Sequence, residues 1–265
     1  RATRAAAESL VTVDSVWIKN AKVEDGKLTF ELDTNDIAAN RIGHINIRGR
    51  GIDLELEVAQ TPFAFDVATG TLGHYAGSEA TVSIPAELDG VPVLSIGKEN
   101  VDLQNDFGGD DDVAKAALPF YRNTTITKVI LPEGLKKIGG FAFAGSTVEK
   151  VIFPESMDKI GAYAFAGSSL ESLTLPADLT YIGLDVLRNC TTIKTITFLG
   201  DKPQFAAHSG QDEDPSATPA PSNYTDIFFS TVNLEHIYAD IQKYPAWTNT
   251  IFTKQGGSLS IEQMP

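Results

Sequence analysis

Residues 136–146 read KKIGGFAFAGS and residues 158–168 read DKIGAYAFAGS, the same phrase shifted by 22 positions. A unit this short cannot bury its own apolar face, so it must stack on a near-copy of itself. Other positions keep the step: Pro132, Pro154 and Pro176; Ile138, Ile160 and Ile182; Phe143, Phe165 and Leu187. Between them runs an L-x-x-L-x-L frame: Ile126, Val129, Leu131; Val148, Val151, Phe153; Leu170, Leu173, Leu175; Ile193, Ile196, Phe198. The last step is 23 residues, with the extra residue near Asn189–Thr192. A degenerate opening copy lies at Val82, Ile84 and Pro85, and a later frame at Leu234, Ile237 and Ala239.

Each unit reads as one coil of a solenoid. The frame forms a strand with its apolar residues inward, and proline ends it because it lacks a ladder donor. The Ile-Gly pair turns the corner, with glycine supplying φ > 0. The aromatic-Ala-Phe piece forms a short helical turn whose ring fills the centre. Two insertions interrupt the coils, at 98–116 and 204–226; the second is rich in Pro, Ser and acid and reads as a mobile loop. Residues 238–252, YADIQKYPAWTNTIF, read as a cap that covers the last coil with Tyr244 and Trp247.

Residues 11–61 have a different pattern. Leu28, Phe30 and Leu32, then Ile45 and Ile47, then Ile52, Leu54, Leu56 and Val58 alternate with polar residues, as in half-buried antiparallel strands. EDGK at 24–27 and RGRG at 48–51 supply turns, and Trp17 and Ile18 read as core. This predicts a small β-sandwich, either complete or lacking its first strands. Residues 1–10 have no strand pattern and read as a tether.

The net charge of −14 repels phosphate backbones and anionic lipid, which argues against nucleic-acid and membrane-surface partners. Cys190 is the only cysteine, so no intrachain disulfide forms; it reads as a small buried hydrophobe. No apolar run reaches membrane-spanning length. The chain starts at Arg1 rather than Met, which reads as a processed product from which a signal peptide has been removed.

The segments KVILPEGLKKIGGFAFAGS, KVIFPESMDKIGAYAFAGS and SLTLPADLTYIGLDVLRNC resemble the BspA-like leucine-rich repeat family of bacterial surface proteins. GTLGHYAGSEATVSIPAELDGVPVLSIG at 70–97 and HIYADIQKYPAW at 236–247 resemble that family's usual start and finish, so the resemblance runs over residues 62–265 less the insertions. The third copy departs from it, with Leu184, Asp185, Val186 and Leu187 in place of the aromatic-Ala-Phe core. Residues 11–61, through Trp17, LTFELDTN, NRIGHINIRG and LEVAQ, are similar to the BACON family, immunoglobulin-like modules common in Bacteroidetes secreted proteins. The fold implied is mainly β, a small antiparallel sandwich followed by a right-handed leucine-rich-repeat solenoid with short helical turns. Both resemblances imply export to the cell surface, anchored through a lipidated N-terminus, and binding or adhesion rather than catalysis.

No catalytic motif occurs: G-x-S-x-G, Walker and G-x-G-x-x-G patterns are absent, and His44, His74, His208 and His236 lack metal spacing. Asp106, Asp110, Asp111 and Asp112 in NDFGGDDD are hard oxygen ligands suited to calcium, but the EF-hand spacing is missing and a solvated acidic loop is the favoured reading. No cofactor is expected.

The outward positions of the strand frame form three columns: Thr127, Glu149, Glu171, Lys194; Lys128, Lys150, Ser172, Thr195; and Ile130, Ile152, Thr174, Thr197. Lys–Glu pairing across neighbouring strands accounts for the charges; Ile130 and Ile152 side by side form an apolar patch fit for protein contact. The candidate contact set is therefore Lys128, Ile130, Glu149, Lys150, Ile152, Glu171, Thr174 and Lys194, facing a host or bacterial surface protein. The alternatives are a glycan-binding accessory protein, for which Trp17, Tyr121, Tyr163, Tyr181 and Trp247 are the aromatic candidates, or a structural spacer.

Overall fold

The computed structural model describes residues 10–33, 41–49, 51–99, 101, 110, 114, 117–206, 231–248, 250–254 and 257–265. The expected tether at 1–10 lies outside them except for Leu10, as does most of both insertions. The chain divides into two compact units, one drawn from residues 1–62 with 76–78 and the other from 63–75 with 79–265.

In the first unit, strands β1 (Leu10–Val13), β4 (Arg41–Gly49) and β5 (Ile52–Gln60) form an antiparallel sheet in the order β1-β4-β5, and β2 (Ile18–Glu24) with β3 (Lys27–Leu32) forms a hairpin. The β2–β3 turn is made by Asp25 and Gly26, both at positive φ (51° and 76°), the twist that a two-residue hairpin loop needs. Trp17, Ile18, Ile45 and Ile47 are buried together, with Val11, Ala21, Val23, Leu28, Leu56 and Val58 packed around them. The Arg41 guanidinium lies over the Trp17 ring, 4.6 Å from its centroid.

The alternation overstated the burial here. Phe30, Leu32, Ile52 and Leu54 stay 40%, 42%, 50% and 44% exposed. Among the described residues β3 and β5 are edge strands, so their side chains have a neighbouring strand on one side only. The β2–β3 register also breaks between Lys19 and Lys22, where Asn20 has φ 54°.

The second unit opens with the antiparallel pair β6 (Phe63–Asp66) and β7 (Thr71–Tyr75), then β8 (Thr81–Ser83), the two-residue pair β9 (Glu87–Leu88) and β10 (Val91–Pro92), and β11 (Ser95–Ile96). The regular copies follow as β12 (Lys128–Ile130), β13 (Lys137–Ile138), β14 (Lys150–Ile152), β15 (Lys159–Ile160), β16 (Ser172–Leu175), β17 (Tyr181–Ile182), β18 (Thr195–Phe198) and β19 (Gln204–Phe205). β20 (His236–Ala239), β21 (Ile251–Lys254) and β22 (Gly257–Gln263) complete the chain.

Two parallel ladders tie each copy to the next. One runs β7-β11-β13-β15-β17-β19 through the Ile-Gly corners. The other runs β8-β12-β14 and β16-β18-β20-β22 through the strand frame; its two parts are joined by the Glu171 N–H donating to the Glu149 carbonyl at 3.3 Å. The apolar frame residues are buried, with Phe153 alone only half-buried. Phe120, Phe143 and Phe165 stack in a column at 4.8 and 5.1 Å with interplanar angles of 7° and 10°, and Leu187 continues it.

At Gly97, after the corner residue Ile96, the expected positive φ is present (74°), but the corner glycines of the regular copies work by a different mechanism. Gly139, Gly161 and Gly183 do not adopt positive φ. Each donates its N–H to the corner isoleucine carbonyl of the preceding copy at 2.7 Å (Ile96, Ile138 and Ile160). A Cβ at Gly139 would stand 2.0 Å from the Lys98 carbonyl oxygen, and one at Gly183 would stand 2.3 Å from the Ala162 nitrogen. Glycine is required because backbone meets backbone there.

Positive φ falls elsewhere, at Phe141, Tyr163 and Asp185 (56°, 55°, 51°) and at Gly145, Gly167 and Asn189 (66°, 66°, 60°). Left-handed residues stop a helix from propagating, so the expected helical turns are single hydrogen-bonded turns, closed by Ala144 N–H to Phe141 O (3.1 Å) and Ala166 N–H to Tyr163 O (3.0 Å). Alternate N–H groups in these turns donate to the next copy instead, as Phe143 does to Ala164 O at 2.8 Å. Asp185 keeps the turn although it replaces an aromatic residue; its buried carboxylate accepts from Arg188 Nη1 at 2.9 Å.

Both insertions enter the repeat at one place. They follow the corner strands Ser95–Ile96 and Gln204–Phe205, which pair with neighbouring corners as the uninterrupted copies do; the second insertion, expected from 204, therefore begins after Phe205. The first therefore interrupts a copy internally: Phe120 N–H donates to Ala142 O at 2.9 Å, as Phe143 does one copy later. At the far end Trp247 is buried against Phe198, with ring centroids 4.5 Å apart, and its Nε1 donates to Gly200 O at 3.0 Å. Tyr244, expected beside it in the cap, stays half-buried with Lys243 Nζ 5.0 Å from its ring. β22 adds a further parallel strand beyond β20 and turns back antiparallel to β21, an extension not anticipated from the sequence.

Gly139→Ala is expected to cost about 1–3 kcal/mol, since its Cβ overlaps a backbone carbonyl. Gly167→Asn is expected to cost less than about 1 kcal/mol, because Asn189 already holds that conformation one copy later. Urea denaturation of the two variants checks the ranking. A second expectation concerns the first unit, where Asp14 accepts from the His44 backbone N–H and faces His44 Nδ1, both at 2.7 Å. These bonds lower the Asp14 carboxyl to about 2 and, through the Asp14 side chain, raise His44 above 6.5. A lowered carboxyl stabilises above its ordinary 3.8 and loses this as pH falls towards 2; a raised imidazole stabilises below 6.5 and loses this as pH rises through its folded value. The pair is thus most stabilising between pH 3.8 and 6.5. NMR titration is expected to place His44 above 6.5 and to show it falling back towards 6.5 in Asp14→Asn.

Candidate interaction face

Inward frame positions are consumed by packing, so the outward positions are the ones free to vary. Pairing in register puts Lys128 beside Lys150 and Ile130 beside Ile152. It also puts Ser172 beside Thr195 and Thr174 beside Thr197. Parallel neighbours in a sheet stand about 4.8 Å apart, so the members of each pair are adjacent; between β14 and β16 the ladder is interrupted, bridged by the Glu171 N–H to the Glu149 carbonyl. Ile130 is half-buried and Ile152 is 39% exposed. Glu149, Lys150, Glu171, Thr174 and Lys194 are exposed, and Lys128 is half-buried.

The expected Lys–Glu pairing is not seen. Among the described residues no ion pair within 4.0 Å joins Lys128, Lys150 or Lys194 to Glu149 or Glu171. Lys128 faces Lys150 instead, because the repeat aligns like with like. Unpaired side chains on a flat sheet contribute little to the fold.

The face extends further than the sequence reading took it. His236 pairs with Thr195 and Tyr238 with Thr197, and Tyr238 pairs onward with Glu262. The His236 and Tyr238 rings stack at 5.6 Å, and His236 Nδ1 lies 2.8 Å from Glu262 Oε1. The signal for these residues was present, because Leu234, Ile237 and Ala239 define which neighbours point outward; the long insertion before them hid the continuity. The aromatic candidates for a sugar platform fall elsewhere. Trp17, Tyr121 and Trp247 are buried, and Tyr163 is half-buried and stacked on Phe141 at 4.8 Å. Tyr181 is half-buried in the corner ladder, beside Lys159.

Of the calcium candidates, Asp110 is described and exposed, while Asp106, Asp111 and Asp112 lie outside the described residues, as does His208. Among the described residues no group of three or more His, Cys, Asp or Glu side chains could hold a metal ion. Cys190 is buried, which raises its thiol pKa, and its Sγ donates to Phe165 O at 2.9 Å. Arg188, the nearby cation that would activate it, is held by Asp185. An apolar cleft of about 580 Å³ lies between Phe65, Leu72, Leu118 and Pro119, with Lys98 and Glu99 also lining it. Glu99 is engaged by Lys137 at 2.7 Å and Lys159 at 3.8 Å. No helix among the described residues is long and apolar enough to cross a membrane.

A family model for the BspA type leucine rich repeat region matches this chain. Residues 118–206 carry six copies of that repeat. The matched stretch holds the regular part of the candidate face, from β12 to β18. It does not extend over residues 11–61, whose likeness to the BACON family remains a proposal. No curated protein matches the chain. Among solved structures it is similar to the Leucine Rich Repeat protein of T. pallidum (18% identity, 66% of this chain and 77% of that one, TM-score 0.38). It is similar to a leucine rich cell surface protein from Faecalibacterium prausnitzii A2-165 (19% identity, 67% and 68%, TM-score 0.25). It is also similar to the pneumococcal vaccine antigen PcpA (15% identity, 85% of this chain and 55% of that one, TM-score 0.40).

Because the charges on this face are not engaged with one another, Glu149→Ala combined with Lys150→Ala is expected to change unfolding free energy by less than about 0.5 kcal/mol. Thermal and urea unfolding of the double variant check it.

Proposed function

We propose that the chain is a non-enzymatic cell-surface binding protein whose solenoid strand face contacts a protein partner. The observation that carries this reading is the outward row Ile130, Ile152, Thr174, Thr197 and Tyr238, bordered by lysines and glutamates that make no ion pairs with one another. The fold needs none of these side chains outward. An apolar centre with a charged rim is the composition of a protein-binding surface. The ladders beneath hold the backbone in register, so little ordering entropy is lost when a partner docks.

Several parts of this reading extend past the matched repeats. We assign residues 11–61 to a sandwich module of BACON type and residues 62–265 to the solenoid. Secretion or display on the cell surface follows from the repeat family's usual setting. The stacked His236 and Tyr238 rings favour a second reading, in which the C-terminal end of the face takes a sugar ring.

Screening the purified chain against arrays of extracellular proteins and of glycans separates the two. Ile130→Thr with Ile152→Thr is the decisive variant, since threonine already occupies the same row at 174 and 197. It is expected to fold normally and to lose at least about tenfold in affinity for the protein hit. Full retention of binding, or a glycan hit with no protein hit, overturns the protein reading.

A further inference from the structure

The N-terminal unit carries a second surface, independent of the repeat face. β5 pairs with β4 over its whole length, from Arg41↔Gln60 to Gly49↔Ile52. Among the described residues no strand pairs with its other edge over residues 52–59. The strand reads IDLELEVAQ: it has no proline to remove a ladder donor, and its only charges are Asp53, Glu55 and Glu57, which discourage pairing with another acidic strand but not with a basic one. By register Leu54 and Leu56 lie opposite the buried Ile47 and Ile45, on the core side of the sheet. Ile52 and Leu54 are nonetheless 50% and 44% exposed, so the core-side face of the strand is uncovered at this end.

The opposite face of β5 is acidic and exposed. Asp53 is 3.1 Å from Arg48 and Glu55 is 3.8 Å from His44 Nε2, both on β4. Glu57 has no ion pair among the described residues. A strand added along β5 would set its own side chains about 5 Å from these carboxylates on one face and from Ile52 and Leu54 on the other. A second copy of β5 does not fit this edge. It would bring Asp53, Glu55 and Glu57 against the same carboxylates, in a chain that already carries a net charge of −14.

We propose that this edge takes up an extended segment of a partner protein in which apolar residues alternate with lysine or arginine, joined to β5 by main-chain hydrogen bonds. Apolar side chains of the segment cover Ile52 and Leu54, and its basic side chains face Asp53, Glu55 and Glu57. Main-chain pairing gives the affinity and the alternation gives the specificity.

The test uses the full chain and two labelled nine-residue peptides, one alternating valine with lysine and one alternating valine with glutamate. The lysine peptide is expected to bind at least about tenfold more tightly, with hydrogen-exchange protection appearing over residues 52–60. Ile52→Ser with Leu54→Ser leaves the charge unchanged and is expected to weaken it about tenfold or more. Glu55→Lys with Glu57→Lys is expected to reverse the preference between the peptides. These side chains are exposed, so the variants are expected to fold, which thermal unfolding checks. Lysine-peptide binding that survives the serine substitutions or protects other residues marks general attraction to an acidic chain and overturns the proposal. Failure of both peptides to bind overturns it, and so does a dimer in sedimentation with β5 protected before any peptide is added.

Discussion

The structure of the repeat region depends on how closely one copy's backbone approaches the next at the Ile-Gly corner. The corner glycine N–H donates to the preceding isoleucine carbonyl at 2.7 Å in three successive copies, in space where a Cβ would overlap a carbonyl or an amide. That contact fixes the spacing between copies. The frame strands and the phenylalanine column then stack at matching intervals, the rings 4.8 and 5.1 Å apart. Without it the frame isoleucines and leucines could not lie in register, and the interior would not close.

A consequence is a division of labour between the two sides of each frame strand. The inward side is committed to packing, and the outward side has no structural duty. Side chains with no such duty can be tuned to a partner without disturbing the fold. The exposed Ile152, the half-buried Ile130 and the unpaired charges around them lie on that side. The third copy shows how tolerant the backbone is: Asp185 and Arg188 replace a ring stack with an ion pair, and the turn survives. Turn conformation is held by hydrogen bonds between copies more than by the side chain at its apex.

Much of this was legible because repetition exposes constraints that a single copy would hide. The inward frame residues, the proline stops and the aromatic column followed from spacing, and the burial of Trp247 followed from reading the C-terminal segment as a cap, in which Tyr244 was wrongly included. The role of the corner glycines did not, because sequence cannot separate a glycine needed for its φ from one needed for its missing Cβ. The helical turns were misjudged for a related reason: Phe141 and Tyr163 adopt left-handed backbone against their own preference, held there by bonds to the next copy. In the first unit, period-two alternation identified which face is apolar but not how much of it is covered. Phe30, Leu32, Ile52 and Leu54 show the difference, because coverage depends on how many strands lie beside and above each one.

The candidate face was half legible. Outward positions from Thr127 to Lys194 could be read directly from the frame. His236 and Tyr238 were marked as outward by the frame Leu234, Ile237 and Ala239, but the insertion before them hid their continuity with the face; Glu262 could not be read, because it lies on a final strand that the sequence did not reveal. The sequence by itself determined that this region stacks, which side chains face inward and which are left outside, since those follow from periodicity and the need to bury apolar surface. Only the tertiary structure decided that Lys128 lies beside Lys150 with no ion pair to Glu149 or Glu171, that the face continues to Tyr238, and that among the described residues no strand lies beyond β5. Those depend on register and on the number of neighbouring strands, and neither is a local property of the chain.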